Sequence, residues 1–178
     1  PFYTIYKNMI DKESLIKLLD KNNCQYKLYS HPPLVTVEDS VNMRGKINGG
    51  HTKNLFLKNK KNNFILITCL ENTVVDLKLL QKNLNLGNLS FADEKYLKEL
   101  LNVNPGAVTP FGLLNDVNHK IKFFFDINLN NFETFNFHPL VNTNTVSIKK
   151  EDFFNIFNIN NICIYLLNLK TCEIKNGK

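Results

Sequence analysis

Residues 64–70 read FILITCL, an apolar run interrupted by a single hydroxyl and bounded by the polar stretches KNKKNN and ENT. Its shortness and its flanking turn residues favour a strand over a helix. Apolar residues at every position, rather than at alternate ones, mean that the strand is covered on both faces. A chain carrying such a strand must build a sheet and lay further structure on each side of it. FFF at 123–125 and the apolar run near 162–168 repeat the demand, and FFF reads as core rather than as a base-stacking platform.

The remaining elements follow from periodicity and turn chemistry. Asp11 to Asn22 reads as a helix, with Asp11 as its cap, Leu15, Leu18 and Leu19 on one face, and Ile10 and Leu15 at the spacing of a hydrophobic staple. QYKLYS is a short strand and HPP, from His31, a turn. Thr36 and Asp39 have capping-box spacing and predict a second short helix. Gly45 to Gly50 reads as a loop, and a strand at 53–58 pairs with 64–70 through KNKKNN. Helices are expected at 76–84 (Leu77, Leu80 and Leu84 on one face), 93–101 (Asp93 as cap) and 150–157 (Phe153, Phe154 and Phe157). Strands are expected near 109–114, 121–127, 134–138, 144–148 and 162–168. The sum is one α/β domain with a mixed, largely antiparallel sheet and helices packed outside it.

The 178 residues suffice for one domain with a real core. The net charge of +6 comes from 21 lysines and one arginine, beside 29 asparagines. That Lys/Asn bias is what AT-rich coding produces, so the charge permits a nucleic-acid partner without requiring one. Cys24, Cys69, Cys163 and Cys172 form no CxxC pair. They read as free thiols of a reducing compartment, with Cys69 and Cys163 in apolar runs. His31, His51, His119 and His138 lack metal-ligand spacing, so no metal and no cofactor is expected. No apolar run reaches the ~20 residues of a membrane span and no signal peptide is visible. A cytoplasmic protein without membrane contact is expected. Pro1 stands where a methionine would begin a chain. Residues 1–10 are therefore expected to be an extension, 11–170 the domain, and 171–178 a polar tail leading toward a linker.

Polar residues gather where folding alone does not ask for them. In GGHTKNLFL, Lys53 and Asn54 follow two glycines that let backbone approach a ligand. A lysine there meets a phosphate or a developing oxyanion; a solvated lysine at a strand edge accounts for the spacing equally well. In PGAVTPFG, Gly106 and Pro110 frame a G-x-x-x-P loop that offers backbone amides; an ordinary loop before a strand is the alternative. In FNFHPLVNTNT, His138 ends a strand, with Asn142, Thr143 and Thr145 behind it. It either lines a pocket or packs against a backbone carbonyl. His31 in HPP reads as part of a turn. No G-x-S-x-G elbow, P-loop or dinucleotide fingerprint occurs.

Taken in order, HPP, TVED, GGHTKNLFLK, VDLK, LSFA, PGAVTPFGLLND and NFHPLVNTNTVSI resemble the YbaK/ProX family of aminoacyl-tRNA deacylases, in the branch that edits mischarged prolyl-tRNA. The resemblance spans about residues 12–170. It implies a YbaK-like, barrel-like sheet surrounded by helices and hydrolysis of the aminoacyl ester on tRNA for proline, with alanine as the amino acid removed. It places the family's essential lysine on Lys53, its neighbouring asparagine on Asn54 and its histidine on His138. The substrate-receiving loop falls on Gly106, Ala107, Val108, Thr109 and Pro110, with Phe111, Gly112 and Asn142 beside it. The implied partners are the CCA end of mischarged tRNA for proline and a prolyl-tRNA synthetase, in cis or in trans.

A second, hydrolytic sieve makes physical sense for alanine. A pocket shaped for proline excludes a smaller side chain by only ~1–3 kcal/mol. Open alternatives are removal of cysteine, a tRNA-binding module without catalysis, and a non-tRNA protein of the same fold. Neighbouring strand residues face opposite ways, so Lys53 and Asn54 serve one site only if the strand begins after Lys53 or bulges there.

Overall fold

A computed structural model describes residues 9–33, 42 and 47–176. The first helix, α1 (Lys12–Lys21), starts at Asp11, whose carboxylate accepts the amide of Ser14. Leu15 and Leu19 are wholly buried on its inner face, and Ile10 packs into the same core. The expected second helix at Thr36 and Asp39 lies outside the described residues.

The strands are β1 (Tyr26–Ser30), β2 (Gly50–Asn59), β3 (Phe64–Leu70), β4 (Leu89–Phe91), β5 (Ile121–Asp126), β6 (Thr134–Phe137), β7 (Asn144–Lys149), β8 (Ile164–Leu167) and β9 (Ile174–Asn176). They form one sheet ordered β1-β7-β6-β2-β3-β5-β8-β9, with β4 paired to β2. Among the described strands β1–β7, β2–β3, β2–β4, β6–β7 and β8–β9 run antiparallel, against parallel β2–β6, β3–β5 and β5–β8. The sheet is therefore mixed and largely antiparallel. The helices are α1, α2 (Leu77–Asn83, capped by Asp76), the one-turn α3 (Glu94–Tyr96) running into a π-turn at Leu97–Leu101, and α4 (Lys150–Ile159).

Strand β3 is covered on both faces, as its composition demands. Phe64 and Leu66 join a phenylalanine-rich core with Phe111, Phe123, Phe125, Phe135, Phe137, Phe153 and Phe157. Ile65, Ile67 and Cys69 point the other way, into a second core with Leu57, Leu80, Phe124 and Leu167. The FFF run divides in the same manner. Each fully buried Leu or Phe contributes roughly 1.5–3 kcal/mol, so these two cores hold the sheet from both sides.

Several expectations are corrected. Residues 110–115 form a 3₁₀ helix, not a strand. Pro110 at its start cannot donate to a ladder, and the Thr109 hydroxyl accepts the amide of Phe111. Strands β4 and β9 were not expected. β9 pairs with β8, and Leu169 and Cys172 are buried in the second core, so the stretch expected to be a tail contributes to the fold. Cys163 is exposed rather than buried. Asp93 makes no capping bond to its helix and instead lies 3.8 Å from Lys58.

Among the described residues asparagine supplies most of the non-glycine positions with positive φ. Asn23, Asn85, Asn102 and Asn161 all have positive φ just past helix ends.

Candidate active site

The glycine pair ahead of β2 packs against protein, not against ligand. Gly49 has φ +111°, and a Cβ there would lie 2.8 Å from the carbonyl of Thr134. The chain needs glycine to bring the mouth of β2 beside β6, where Gly50 pairs with Phe135 and His51 with Asn136. Thr52 Oγ1 then donates to the Asn136 carbonyl at 2.8 Å, tying the two strands together. That close approach sets His138, which follows β6, next to Thr52 and Lys53.

The expected start or bulge at Lys53 is absent. β2 runs from Gly50, and its register with β3 is unbroken from Thr52–Leu70 to Lys58–Phe64. Lys53 and Asn54 therefore leave opposite faces of the sheet. Both still border one cleft, because it lies along the rim of β2. Thr52, Lys53, Asn54, Phe56, Phe91, Ala92, Leu97, Pro105, Gly106, Val108 and His138 enclose about 440 Å³.

The two members of the Lys-Asn pair do different things. Asn54 is occupied on both sides of its amide: Nδ2 donates to the Val108 carbonyl at 3.0 Å, and Oδ1 accepts the Thr68 hydroxyl at 2.6 Å. Thr68 is wholly buried, the one hydroxyl in FILITCL. The chain Thr68–Asn54–Val108 braces the 105–109 loop against the sheet. Lys53 sits across from Cys69, whose thiol burial pushes up to about 12 despite the opposing pull of the nearby ammonium. Among the described residues Lys53 meets no carboxylate at ion-pair distance, so its charge stays available at the rim.

His138 Nδ1 lies 3.0 Å from the carbonyl of Asn144. A carbonyl can only accept, so Nδ1 carries the proton and Nε2 is left as a lone-pair acceptor. Burial lowers the pKa of the ring, and His31 lowers it further against the opposing pull of the Asn144 bond. His138 is thus neutral at neutral pH. His31 is no mere turn residue. It is buried, its ring centroid 6.3 Å from that of His138, with Nδ1 on the Pro32 carbonyl and Nε2 on the Thr145 hydroxyl.

Only part of the G-x-x-x-P loop reaches the cleft. Gly106 has φ +84°, and a Cβ there would meet the Asn142 amide in ordinary contact at 3.7 Å. Val108 lines the cleft as well. Ala107, Thr109, Pro110, Phe111 and Gly112 are buried, and Phe111 stacks edge-on against Phe137 at 5.6 Å. Asn142 stands beside Gly106, outside the residues that enclose the cleft. The amide of Ala107 is spent on the Asn104 carbonyl, and those of Phe111 and Gly112 on Thr109. Thr109's own N–H points away from Asn54, because the trans peptide sets it opposite the Val108 carbonyl. Among the described residues the amides of Gly106 and Val108 have no acceptor. Both residues line the cleft.

The sequence from residue 31 to 156 matches the family model for the aminoacyl-tRNA editing domain. The chain belongs to that family. It is 34% identical to the Prolyl-tRNA editing protein ProX of Acetoanaerobium sticklandii, over 86% of this chain and 94% of that one. It is 37% identical to the Prolyl-tRNA synthetase associated domain-containing protein 1 of Mus musculus, over 71% and 78%. A solved structure described as a candidate trans-editing enzyme for prolyl tRNA synthetase shares the fold, with a TM-score of 0.64 at 15% identity over 93% of this chain and 97% of the other. This editing-family chain shows no grouping of three or more His, Cys, Asp or Glu able to hold a metal ion among its described residues. Among the same residues no helix is long and apolar enough to cross a membrane.

Proposed function

We propose that this chain hydrolyses the ester linking alanine to tRNA for proline, in the cytoplasm and beside a prolyl-tRNA synthetase in cis or in trans. One observation carries the reading. In a member of the editing family, a lysine with no carboxylate partner, a neutral histidine and two backbone amides with no acceptor, all judged among the described residues, border one cleft. The names of two relatives, a prolyl-tRNA editing protein and a prolyl-tRNA synthetase associated domain-containing protein, support tRNA for proline as the carrier.

The aminoacyl group lies at the His138 end of the cleft. Nε2 of His138 accepts a hydrogen bond from the α-ammonium of alanine and fixes the acyl carbon over Gly106. Water attacks that carbon, and the amides of Gly106 and Val108 hold the oxyanion that forms. The Thr68–Asn54 brace keeps Val108 in register for that task, which makes Asn54 a positioning residue. Lys53 takes a phosphate at the CCA end. Among the described residues the cleft offers no further side chain to take up the proton of the attacking water, so the free ribose hydroxyl beside the ester relays it to the esterified ribose oxygen, which leaves as the C–O bond to the acyl carbon breaks and the oxyanion collapses to the carboxylate of alanine. Alanine enters where proline is too large, which gives the second sieve its selectivity.

The test is deacylation of alanyl-, cysteinyl- and prolyl-tRNA, all on tRNA for proline, by wild type and Lys53→Ala. Loss of alanine alone, abolished in the variant, supports the reading. Cysteine leaving faster than alanine would reassign the substrate. No hydrolysis of any of them would leave a tRNA-binding module.

A further inference from the structure

Phe91 is the one phenylalanine among the described residues that gives most of its surface to solvent, 63%. No other aromatic ring packs against it among those residues, whereas the core phenylalanines stack on one another at centroid distances from 4.4 Å. A ring left in water forgoes most of the stabilisation its burial would bring, and single exposed apolar residues are common. The position of this one is what matters. It ends β4 opposite Leu57 and borders the cleft with Ala92 and Leu97. His138 and Thr52 stand at the other end. From Lys53 to Leu57 is four residues of strand, roughly 13 Å.

The cleft therefore has a polar end suited to an ester and an aromatic end with an uncovered ring face. Between them lies Lys53, a cation without a carboxylate among the described residues. An aminoacylated 3′-terminal nucleoside has the same order: acyl group, ribose and phosphate, base. We propose that Phe91 is the platform on which the terminal base of the tRNA stacks, an adenine in the CCA end. The inference rests on the reading that the cleft takes an aminoacyl-tRNA. Stacking on an aromatic face is indifferent to base identity, so Phe91 anchors the end without reading its sequence. It also fixes how far the ester reaches toward Gly106 and His138.

The chain has no tryptophan, so Phe91→Trp installs a single indole reporter at the proposed contact. The variant is titrated with uncharged tRNA for proline and with the same tRNA lacking its terminal nucleotide. Emission should fall with the complete tRNA and hold with the shortened one. Equal responses to the two, or none to either, overturn the proposal. Deacylation kinetics give the second reading. Phe91→Leu keeps an apolar side chain but no ring face, and should raise KM about tenfold, the weight of one stacked base, with Phe91→Trp returning it toward wild type. A wild-type KM in Phe91→Leu overturns the proposal whatever the emission does. Terminal-dependent quenching in a protein that hydrolyses nothing would keep the stacking platform and remove the hydrolase. Hydrolysis by wild type without terminal-dependent quenching would do the reverse.

Discussion

The two ends of the cleft are built on opposite plans. At the polar end most side chains are already engaged by the protein: Thr52 by β6, Asn54 by Thr68 and Val108, His138 by Asn144. At the other end the side chain of Phe91 is largely exposed, with no other aromatic ring packed against it among the described residues. The first end is rigid because each hydrogen bond there fixes a direction, such as the lone pair of His138 or the plane of the Val108 peptide. The second leaves a surface open. Catalysis needs donors held still before substrate arrives, whereas holding a nucleotide needs only an uncovered face. Lys53 belongs to the polar end by position and to the open end by behaviour.

Substitutions can break this contrast, and the largest effect should come from Lys53. Lys53→Ala should lower kcat/KM for alanyl-tRNA roughly 10- to 100-fold, since a charge-assisted contact to the CCA-end phosphate contributes about 1.5–3 kcal/mol. Thermal stability should hardly change, because the ammonium meets no carboxylate among the described residues; a large drop in Tm would make it structural. Asn54→Ala should do both kinds of damage. It strands the Val108 carbonyl and the Thr68 hydroxyl, which costs about 1–3 kcal/mol in urea unfolding, and it lowers kcat more than it raises KM. An unchanged kcat would show that the brace does not position Val108.

The pH profile sharpens the polar end. Burial lowers His138, so the unfolded chain takes up its proton first as pH falls. The stability from the neutral ring is full above about 6.5, the ordinary histidine value, and is lost as pH falls through the lower folded value. Log kcat/KM should be level through that ordinary value and drop only as pH falls through the lower folded one. His138→Asn, which can still donate to Asn144, should remove that limb; a limb that persists belongs to another group. The smallest effect should be Thr68→Val, about 1 kcal/mol of stability and a severalfold fall in kcat, since it loosens Asn54 without removing it.

What the sequence disclosed depended on how local the cause was. FILITCL and FFF announced a sheet buried on both faces because every position obeys one rule. Asp11 announced a helix start because a cap acts within three residues, whereas Asp93, read the same way, makes no side-chain capping bond. TPFGLL misled, since a short apolar run fits a strand or a 3₁₀ turn until Pro110 and Thr109 are weighed together. β4 and β9, three residues each, are too short to show a period. His31 read as a turn because its partner Thr145 is 114 residues away. Lys53 and Asn54 were legible as a pair, but their division of labour was not. It follows from Thr68, Val108 and the regular register of β2, none of which the GGHTKN stretch encodes by itself.

The asparagines beyond the helix ends make a different point about the chain. With 7 glycines against 29 asparagines, it punctuates its helices with the residue its composition supplies. Asparagine tolerates the left-handed backbone at less strain than most side chains, and unlike glycine it has an amide to use. Asn22 closes the Leu18 carbonyl, Asn160 closes that of Ile156, and Asn102 reaches back to Ile10 ahead of α1. Asn102 is stop and clasp at once, whereas at the ends of α1 and α4 one asparagine clasps (Asn22, Asn160) and the next turns left-handed (Asn23, Asn161), and each of the left-handed asparagines leaves the unfolded chain less freedom than glycine would. A skewed alphabet has been made to write full stops that also bind the page.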